Sequence, residues 1–429
     1  MAQTIPPVQF AAATTNVQFS GFTAIATDFD KDGHLDLATA NNSYEGETQV
    51  LFGAGDGTFR TNKVFITHYP RGMTAVDLNN DGFLDLVVAR WGQAVDLQTL
   101  TFNPANNSVP GFNPGQSTLA VAAADFNQDG RSDLIVVAAS GNQVIPIISS
   151  GANYTFGHYT AGQTPCAVVA GDFNEDHQPD FATANFDGNS VSVWRHTDSS
   201  NFIAVADYPV GPNPCSIAVG DLNGDGHLDL ITADSGTDTI SVLLGNGDGT
   251  FAPAVHIVHG IGNAPDNAST NLLNCSPSSL ALADFNGDGF LDVAVVRAIS
   301  NNVTSILLGR GDGTFATPVL LKNSNVPSYA PICVATGDFD GDGRPDLAVA
   351  GKILLNRTIP SLEIKPTAGR IQLSWYTNFA NGFMLETTID PAQNGAWTAC
   401  TNAYVDTGNR RKVLYSLSPQ NQFFRLRKP

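Results

Sequence analysis

The stretch DFDKDGHLD, Asp28–Asp36, places four aspartates in nine residues. Charge of one sign packed so densely repels itself unless a cation sits within it. The stretch is not isolated. DLNNDGFLD begins at Asp77, DFNQDGRSD at Asp125, DFNEDHQPD at Asp172, DLNGDGHLD at Asp221, DFNGDGFLD at Asp284 and DFDGDGRPD at Asp338. Successive starts are 49, 48, 47, 49, 63 and 54 residues apart. A period near fifty marks an array of supersecondary units that bury their faces by stacking on one another.

Each unit carries the same order of signals. In the fifth, SIAVGD leads into the motif, HLDLITA follows, then TISVLLG, then FAPAVHIV after a turn. Alternation of period two, rich in Val, Ile and Thr and broken by Gly and Asp, predicts strands and no helix. The turn before the fourth run is itself repeated, as GAGDGTF (Gly53–Phe59), GNGDGTF (Gly245–Phe251) and GRGDGTF (Gly309–Phe315). Asp-Gly supplies the positive φ of a tight hairpin, and the following Phe is placed to lie between neighbouring sheets.

Seven four-stranded antiparallel sheets stacked radially make a seven-bladed β-propeller, an all-β fold. The seventh unit, DLAVAGKILLNRT, stops after three strands, while PPVQFAAATTNVQF near the N-terminus reads as an unpaired fourth strand. Residues Val8 to Phe19 are therefore expected to complete the sheet begun near Ile332 and so remove two exposed edges. The propeller is expected over residues 1–357. After Pro360 the period is lost, and five or six short strands over residues 361–429 predict a small β-sandwich of immunoglobulin or fibronectin type, with Trp375 and Trp397 in its core.

The spacing of oxygens in the nine-residue motif matches a calcium loop. Side-chain oxygens at positions 1, 3 and 5, Gly at 6 for a sharp turn, a backbone carbonyl at 7 and a further carboxylate supply the hard ligands this cation takes. In the first unit these are Asp28, Asp30, Asp32, the carbonyl of His34, and Asp36. The other candidate ligands are Asp77, Asn79, Asp81 and Asp85; Asp125, Asn127, Asp129 and Asp133; Asp172, Asn174, Asp176 and Asp180. They continue with Asp221, Asn223, Asp225 and Asp229; Asp284, Asn286, Asp288 and Asp292; Asp338, Asp340, Asp342 and Asp346. Asp, Asn and Gly also mark ordinary turns, but turn chemistry does not demand oxygens at fixed positions seven times over. These motifs hold 23 aspartates, and seven divalent ions would offset 14 of the 19 net negative charges. The ions would be structural, up to seven per chain. His177 stands where the other motifs have Gly, so the fourth site is expected to be the weakest.

Composition narrows the function. Lys and Arg number 21 against 40 Asp and Glu, which argues against nucleic acid, and no apolar run is long enough to cross a membrane. The five cysteines form no CxxC pair and no Cys/His metal spacing. Four precede successive aspartate motifs at similar offsets, as a repeated small buried position would. The start MAQTIPPVQF lacks a signal peptide, yet Ala-Gln suits a mature end left after cleavage, so secretion or cell-surface display is expected, with the chain a monomer.

The DFNGDG loops, GNGDGTF turns and seven units together resemble the FG-GAP/VCBS repeat family, which includes the integrin α-subunit propeller and a seven-bladed fungal lectin. The resemblance covers about residues 8 to 357. It implies calcium loops on one rim and ligands on the opposite rim or in the clefts between blades. GxSxG, HExxH and paired carboxylates outside the loops are absent from the sequence. Recognition of a carbohydrate or an extracellular protein is thus preferred to a carbohydrate-active lyase or hydrolase, and to a scaffold without a small ligand. Ligand-binding candidates on the expected opposite rim are Tyr69, Arg71, Arg90, Trp91, Tyr159, Tyr208, Arg297 and Tyr329, with Tyr44 and Phe186 in similar loops. The insertion His259 to Ser279 accounts for the 63-residue interval and is expected to cover part of that face.

Overall fold

A computed structural model describes residues 8–12, 23–41, 46–92, 97–103, 111–138, 140–151, 153–198, 201–261, 279–296, 303–322, 333–349, 351–358, 362–367, 370–376, 384–389, 397–400, 404–407, 410–416 and 422–427. Among these residues all regular structure is β, and every pairing is antiparallel. No helix among them is long and apolar enough to span a membrane.

Seven sheets follow one another along the repeat region. The first comprises Thr23–Thr27, Asp36–Ala40, Glu47–Gly53 and Phe59–Ile66. The second has three strands, Pro70–Val76, Asp85–Arg90 and Leu97–Leu100, extended by a bridge from Leu97 to Phe112. The third runs Ala120–Ala124, Asp133–Ala138, Gln143–Ser149 and Tyr154–Phe156, with Tyr159–Thr160 also on its third strand. The fourth is Pro165–Gly171, Asp180–Asn185, Ser190–Asp198 and Asn201–Pro209; the fifth is Pro214–Gly220, Asp229–Asp234, Thr239–Leu243 and Val255–Val258. The sixth is Ser279–Ala283, Asp292–Val296, Val303–Leu307 and Val319–Lys322. The seventh takes Val334–Gly337, Asp346–Val349 and Lys352–Asn356 from its own repeat and Phe10–Ala12 from the other end of the chain. Phe10 lies opposite Asn356 and Ala12 opposite Leu354. The expected strand is thus found at Phe10–Ala12; residues 13–22 lie outside the described part.

Burial explains the sequence of each strand. Second strands such as DLATA, DLIVVA and DLITAD are buried along their whole length, because a sheet covers each face. They therefore lack the polar alternation of a half-exposed strand. Fourth strands are the most exposed of each sheet, as in Val255–Val258 and Phe59–Ile66. First strands are built from small residues, and their glycines mark close approach. A Cβ on Gly337 would lie 2.4 Å from Leu35 Cδ1 of the first repeat, and one on Gly220 would lie 2.7 Å from Leu291 Cδ1 of the sixth.

The core lies between sheets. Ala38 and Val50 pack with Leu86 and Val88 between the first and second; Val87 and Leu97 with Leu134 and Ile145 between the second and third. Ile135 and Val144 meet Phe181 and Trp194; Ala182 and Val191 meet Leu230 and Leu243. Ile231 and Val242 meet Val293 and Leu307; Ala294 and Ile306 meet Leu347 and Val349. Ala348 and Ile353 of the seventh sheet then meet Leu37 and Leu51 of the first. First strands likewise pack in sequence order, and Val334–Gly337 packs on Thr23–Thr27. Each fully buried aliphatic side chain contributes about 1.5–3 kcal/mol, so these interfaces dominate the favourable side of folding.

Two further sheets lie in the C-terminal segment. One orders Glu363–Thr367, Arg370–Tyr376, Arg410–Ser416 and Val405–Thr407; the other orders Thr398–Ala399, Met384–Thr388 and Phe423–Arg427. Their shared core is Leu373, Trp375, Leu385, Cys400 and Val413. Trp375 is buried as expected, but Trp397 is half-exposed, with the Arg425 guanidinium 4.2 Å from the ring centre. The described residues of this segment hold seven strands where five or six were expected, and short ones such as Val405–Thr407 have too few residues to show a period.

Candidate metal centres

Each nine-residue motif joins the first strand of a sheet to the second, and one hydrogen-bond scheme recurs through them, complete in six of the seven. The position-1 aspartate accepts backbone N–H groups from inside its own loop: Asp28 from Asp32 at 3.2 Å and Gly33 at 2.9 Å, Asp338 from Asp342 at 2.9 Å and Gly343 at 2.7 Å. The position-5 side chain accepts the position-7 N–H, as Asp32 does from His34 at 2.9 Å. The position-9 aspartate ties the loop to the sheet. Asp36 accepts Phe29 N–H at 2.8 Å with one oxygen and Gly53 N–H, from the end of the third strand, at 2.8 Å with the other. Asp133, Asp180, Asp229, Asp292 and Asp346 repeat that bridge to Ser149, His196, Gly245, Gly309 and Asn356.

These position-9 carboxylates are buried, with relative exposures of 0–1%. Burial pushes the carboxyls of Asp36, Asp85, Asp133 and Asp180 up to about 6 and that of Asp346 to about 7, and raises Asp229 and Asp292 as well. Two backbone donors do not offset the desolvation of a full charge. In the second loop the imbalance is sharper, since Asp85 Oδ1 is buried with no hydrogen-bond partner among the described residues. Carboxylates of positions 1, 3 and 9 converge within 4.8 Å in the two loops whose third position is Asp: Asp28, Asp30 and Asp36, and Asp338, Asp340 and Asp346. Elsewhere position 3 is Asn, whose carbonyl oxygen is an equally hard donor. A carboxylate oxygen that accepts one N–H keeps a second lone pair, so the set fits a divalent oxygen-seeking cation.

A feature absent from the sequence reading lies at position 4. Lys31, Asn80, Gln128 and Glu175 adopt φ of 56–60°, and Gly224, Gly287 and Gly341 occupy the same region. With position 6 also left-handed, the loop curls around its centre and points the position-4 side chain at the next loop. Lys31 Nζ lies 4.6 Å from the centre of the Phe83 ring, Asn80 donates to Gly130 O at 3.1 Å and Gln128 donates to His177 O at 2.8 Å. Glu175 pairs with His227, raising the imidazole pKa. The acidic loops therefore stand side by side at one end of the sheets.

A family model described as FG-GAP-like repeat matches residues 28–88, 172–232, 221–295 and 284–349, and one described as FG-GAP repeat matches 117–155. The chain belongs to the FG-GAP repeat family. No curated protein sequence matches it. Among solved structures, BBS1N in complex with ARL6DN, soaked with mercury, is 12% identical, with a TM-score of 0.53 over 81% of this chain and 96% of that one. The same complex soaked with lead is 11% identical, with a TM-score of 0.51 over 82% and 98%. An Agrocybe aegerita lectin that recognises non-reducing terminal N-acetylglucosamine is 16% identical, with a TM-score of 0.44 over 96% and 95%. At these identities the likeness concerns fold alone.

In the fourth FG-GAP loop His177 adopts φ of 67°, whereas the glycines at this position lie at 80–91°. Its ring is 95% exposed, so little is gained in return for the strain. His177→Gly is expected to raise stability by about 1 kcal/mol in a denaturant titration; an unchanged midpoint would show that the loop relaxes around the ring.

The FG-GAP turns join sheets. Gly57 N–H donates to Phe339 O at 2.9 Å, Gly249 to Phe173 O at 2.8 Å and Gly313 to Leu222 O at 3.3 Å, each reaching the acidic loop of the preceding sheet. The Phe that follows packs there as expected, Phe251 on Phe173 at 5.4 Å and Phe59 on Phe339 at 6.4 Å. Gly57 and Phe339 belong to the first and last repeats.

At the end away from the acidic loops, the second sheet brings four expected ligand-binding residues together. Pro70 lies opposite Arg90, Trp91 N–H donates to Tyr69 O at 3.0 Å, and Tyr69, Arg71, Arg90 and Trp91 are all half-exposed. Arg90 also donates to Thr67 O and Gln98 Oε1. Tyr159 and Tyr208 serve packing. Their hydroxyls accept Phe202 N–H at 3.2 Å and Phe251 N–H at 3.0 Å, each from the following sheet, and their rings lie against Trp194 and Phe251. Phe186 is buried. Arg297, Tyr329, Tyr44 and residues 262–278 of the insertion lie outside the described part. Cys166, Cys215, Cys333 and Cys400 form no disulfide with one another; Cys166 and Cys215 occupy equivalent first-strand positions and each donates to a second-strand carbonyl. Cys275 also lies outside the described part.

Proposed function

We propose that the chain is an exported, calcium-stabilised β-propeller of seven blades, residues 1–357, followed by a small β-sandwich, residues 361–429, and that it recognises a carbohydrate or a protein. The cyclic order of packing supports closure, since the seventh sheet contacts the first through the Leu37 and Ala348 cluster and the Gly57–Phe339 hydrogen bond. The separate Trp375 core supports the second domain. Calcium is supported by the donor set and by buried position-9 carboxylates that lack a neutralising charge. In such loops the ion would be held by positions 1, 3, 5 and 9 and the position-7 carbonyl, and it would pin the first hairpin of each blade. Several sites of modest affinity suit calcium-rich extracellular fluid.

The observation that carries recognition is the contrast between the two ends. One end is filled by the acidic loops and their mutual contacts. The other holds Tyr69, Arg71, Arg90 and Trp91 half-exposed beside the first two strands of the second sheet, with Trp91 also resting on the Leu119 and Phe126 cluster and Arg90 held by Thr67 O and Gln98 Oε1. Rings stack on the apolar faces of sugars or peptide side chains, while guanidinium forks fix orientation. BBS1N, which shares the fold, is a chain seen in complex with a protein, ARL6DN. The test applies the full chain with calcium to glycan and extracellular-protein arrays, beside Trp91→Ala and Arg71→Ala. Binding that falls roughly tenfold or more in both variants, with unchanged melting, supports the reading. Silence on both arrays favours a scaffold, and product release from a polysaccharide favours an enzyme.

A further inference from the structure

Two of the seven loops carry a fourth aspartate, at position 3, and charge counting alone would make these the tightest calcium sites. The structure gives both a cation of their own. Arg60 reaches across the first sheet, with Nη2 3.1 Å from Asp30 Oδ2 and 2.5 Å from Asp32 Oδ2. In the seventh loop Arg357 Nη1 lies 2.9 Å from Asp340 Oδ2 and 3.2 Å from Asp342 Oδ2, and Arg344 also pairs with Asp342. In each case one guanidinium spans the carboxylates of positions 3 and 5, the pair a calcium ion would draw together. Arg60 and Arg357 are 45% and 44% exposed, so each can swing into solvent without disturbing the core.

The two loops also share a location. They belong to the first and last repeats, whose sheets meet where Gly57 bonds to Phe339 and Leu35 packs on Gly337. We propose that Arg60 and Arg357 are resident cations of the first and seventh loops, which offset part of the negative charge at this seam without metal and must be displaced before calcium binds there. This rests on the calcium reading above. The extra aspartate is then matched by the arginine and gives no gain in affinity. Calcium fills these two sites after the glycine-bearing loops of the second, third, fifth and sixth repeats, while the seam between the ends of the ring stays closed when calcium is scarce.

Calcium titration of the chelator-stripped full chain, followed by heat release, tests this on wild type, Arg60→Gln/Arg357→Gln and Arg60→Lys/Arg357→Lys. Wild type is expected to show a weaker class of sites that includes these two. The Gln variant should tighten that class roughly two- to fivefold, the range set by loss of a partly exposed ion pair. It should also melt lower than wild type in chelator and equally in saturating calcium. The Lys variant, with charge but no planar fork, should fall between the two. Because both arginines are half-exposed, the melt in calcium also verifies folding. Affinities unchanged or weakened in the Gln variant would overturn the proposal and leave the calcium reading intact. A wild-type chain that binds no calcium would overturn both.

Discussion

Stripping divalent cations is expected to remove most of the stability of the repeat region. An ion present at a hundredfold excess over its Kd contributes about 2.7 kcal/mol, so even four ions supply about 11 kcal/mol. The whole stability of a folded domain is about 5–15 kcal/mol. For a chain of this size the melting temperature should fall by roughly 15–20 °C between excess calcium and excess chelator. A melt that moves by no more than a degree or two would reduce the aspartates to turn formers.

Acidity should narrow that gap from a predictable side. In the cation-free chain Asp36, Asp85, Asp133 and Asp180 have carboxyls near 6, raised by burial above the value near 3.8 of an unfolded aspartate. The folded state then binds protons more tightly than the unfolded one. The resulting stabilisation is complete below the unfolded pKa and is lost as pH rises through about 6. Lowering pH from neutral to about 5 should thus raise the melting temperature in chelator. In calcium the same change should lower it, because protons compete with the ion for the same oxygens.

The fold was legible because its information is local and repeated. Strand alternation, the oxygens at positions 1, 3, 5 and 9 and the GDGTF turn each lie within one short window, and each recurs. What escaped depends on contacts between windows. Tyr159 and Tyr208 looked like ligand residues, since nothing nearby shows that each hydroxyl meets a backbone N–H 43 residues further on, in the next sheet. Arg60 is 30 residues from Asp30, and it reads as an ordinary surface charge until the fourth strand folds back beside its own loop. The left-handed position 4 left a faint trace, because three of its seven residues are Gly and one is Asn. Trp397 was misplaced for a related reason: it precedes the two-residue strand Thr398–Ala399 and stays half-exposed, with Arg425 over its ring.

Removing residues 1–12 is expected to open the seam that the first and last repeats share. Val8 is buried among Phe285, Val334 and Ile306, and Phe10 packs edge-on to Phe285 at 5.9 Å. Losing the buried Val8 side chain and the partly buried Phe10 ring costs about 2–5 kcal/mol in apolar burial alone. Backbone bonds go too, including Arg357 N–H to Gln9 O at 2.7 Å and Gln9 N–H to Thr358 Oγ1 at 3.1 Å. The strand Lys352–Asn356 would become an exposed edge, a template for pairing between molecules. The melting temperature should therefore fall by roughly 10 °C at about 2 °C per kcal/mol. Hydrogen exchange should quicken first in Val334–Gly337, Asp346–Val349 and Lys352–Asn356, and the truncated chain should aggregate on warming. Exchange that quickens evenly over all seven sheets would mean that the N-terminal strand stabilises the whole repeat region through cooperativity. An unchanged melt with unchanged exchange would show that the contact between the first and last repeats does not depend on this strand, and the proposed closure would fall.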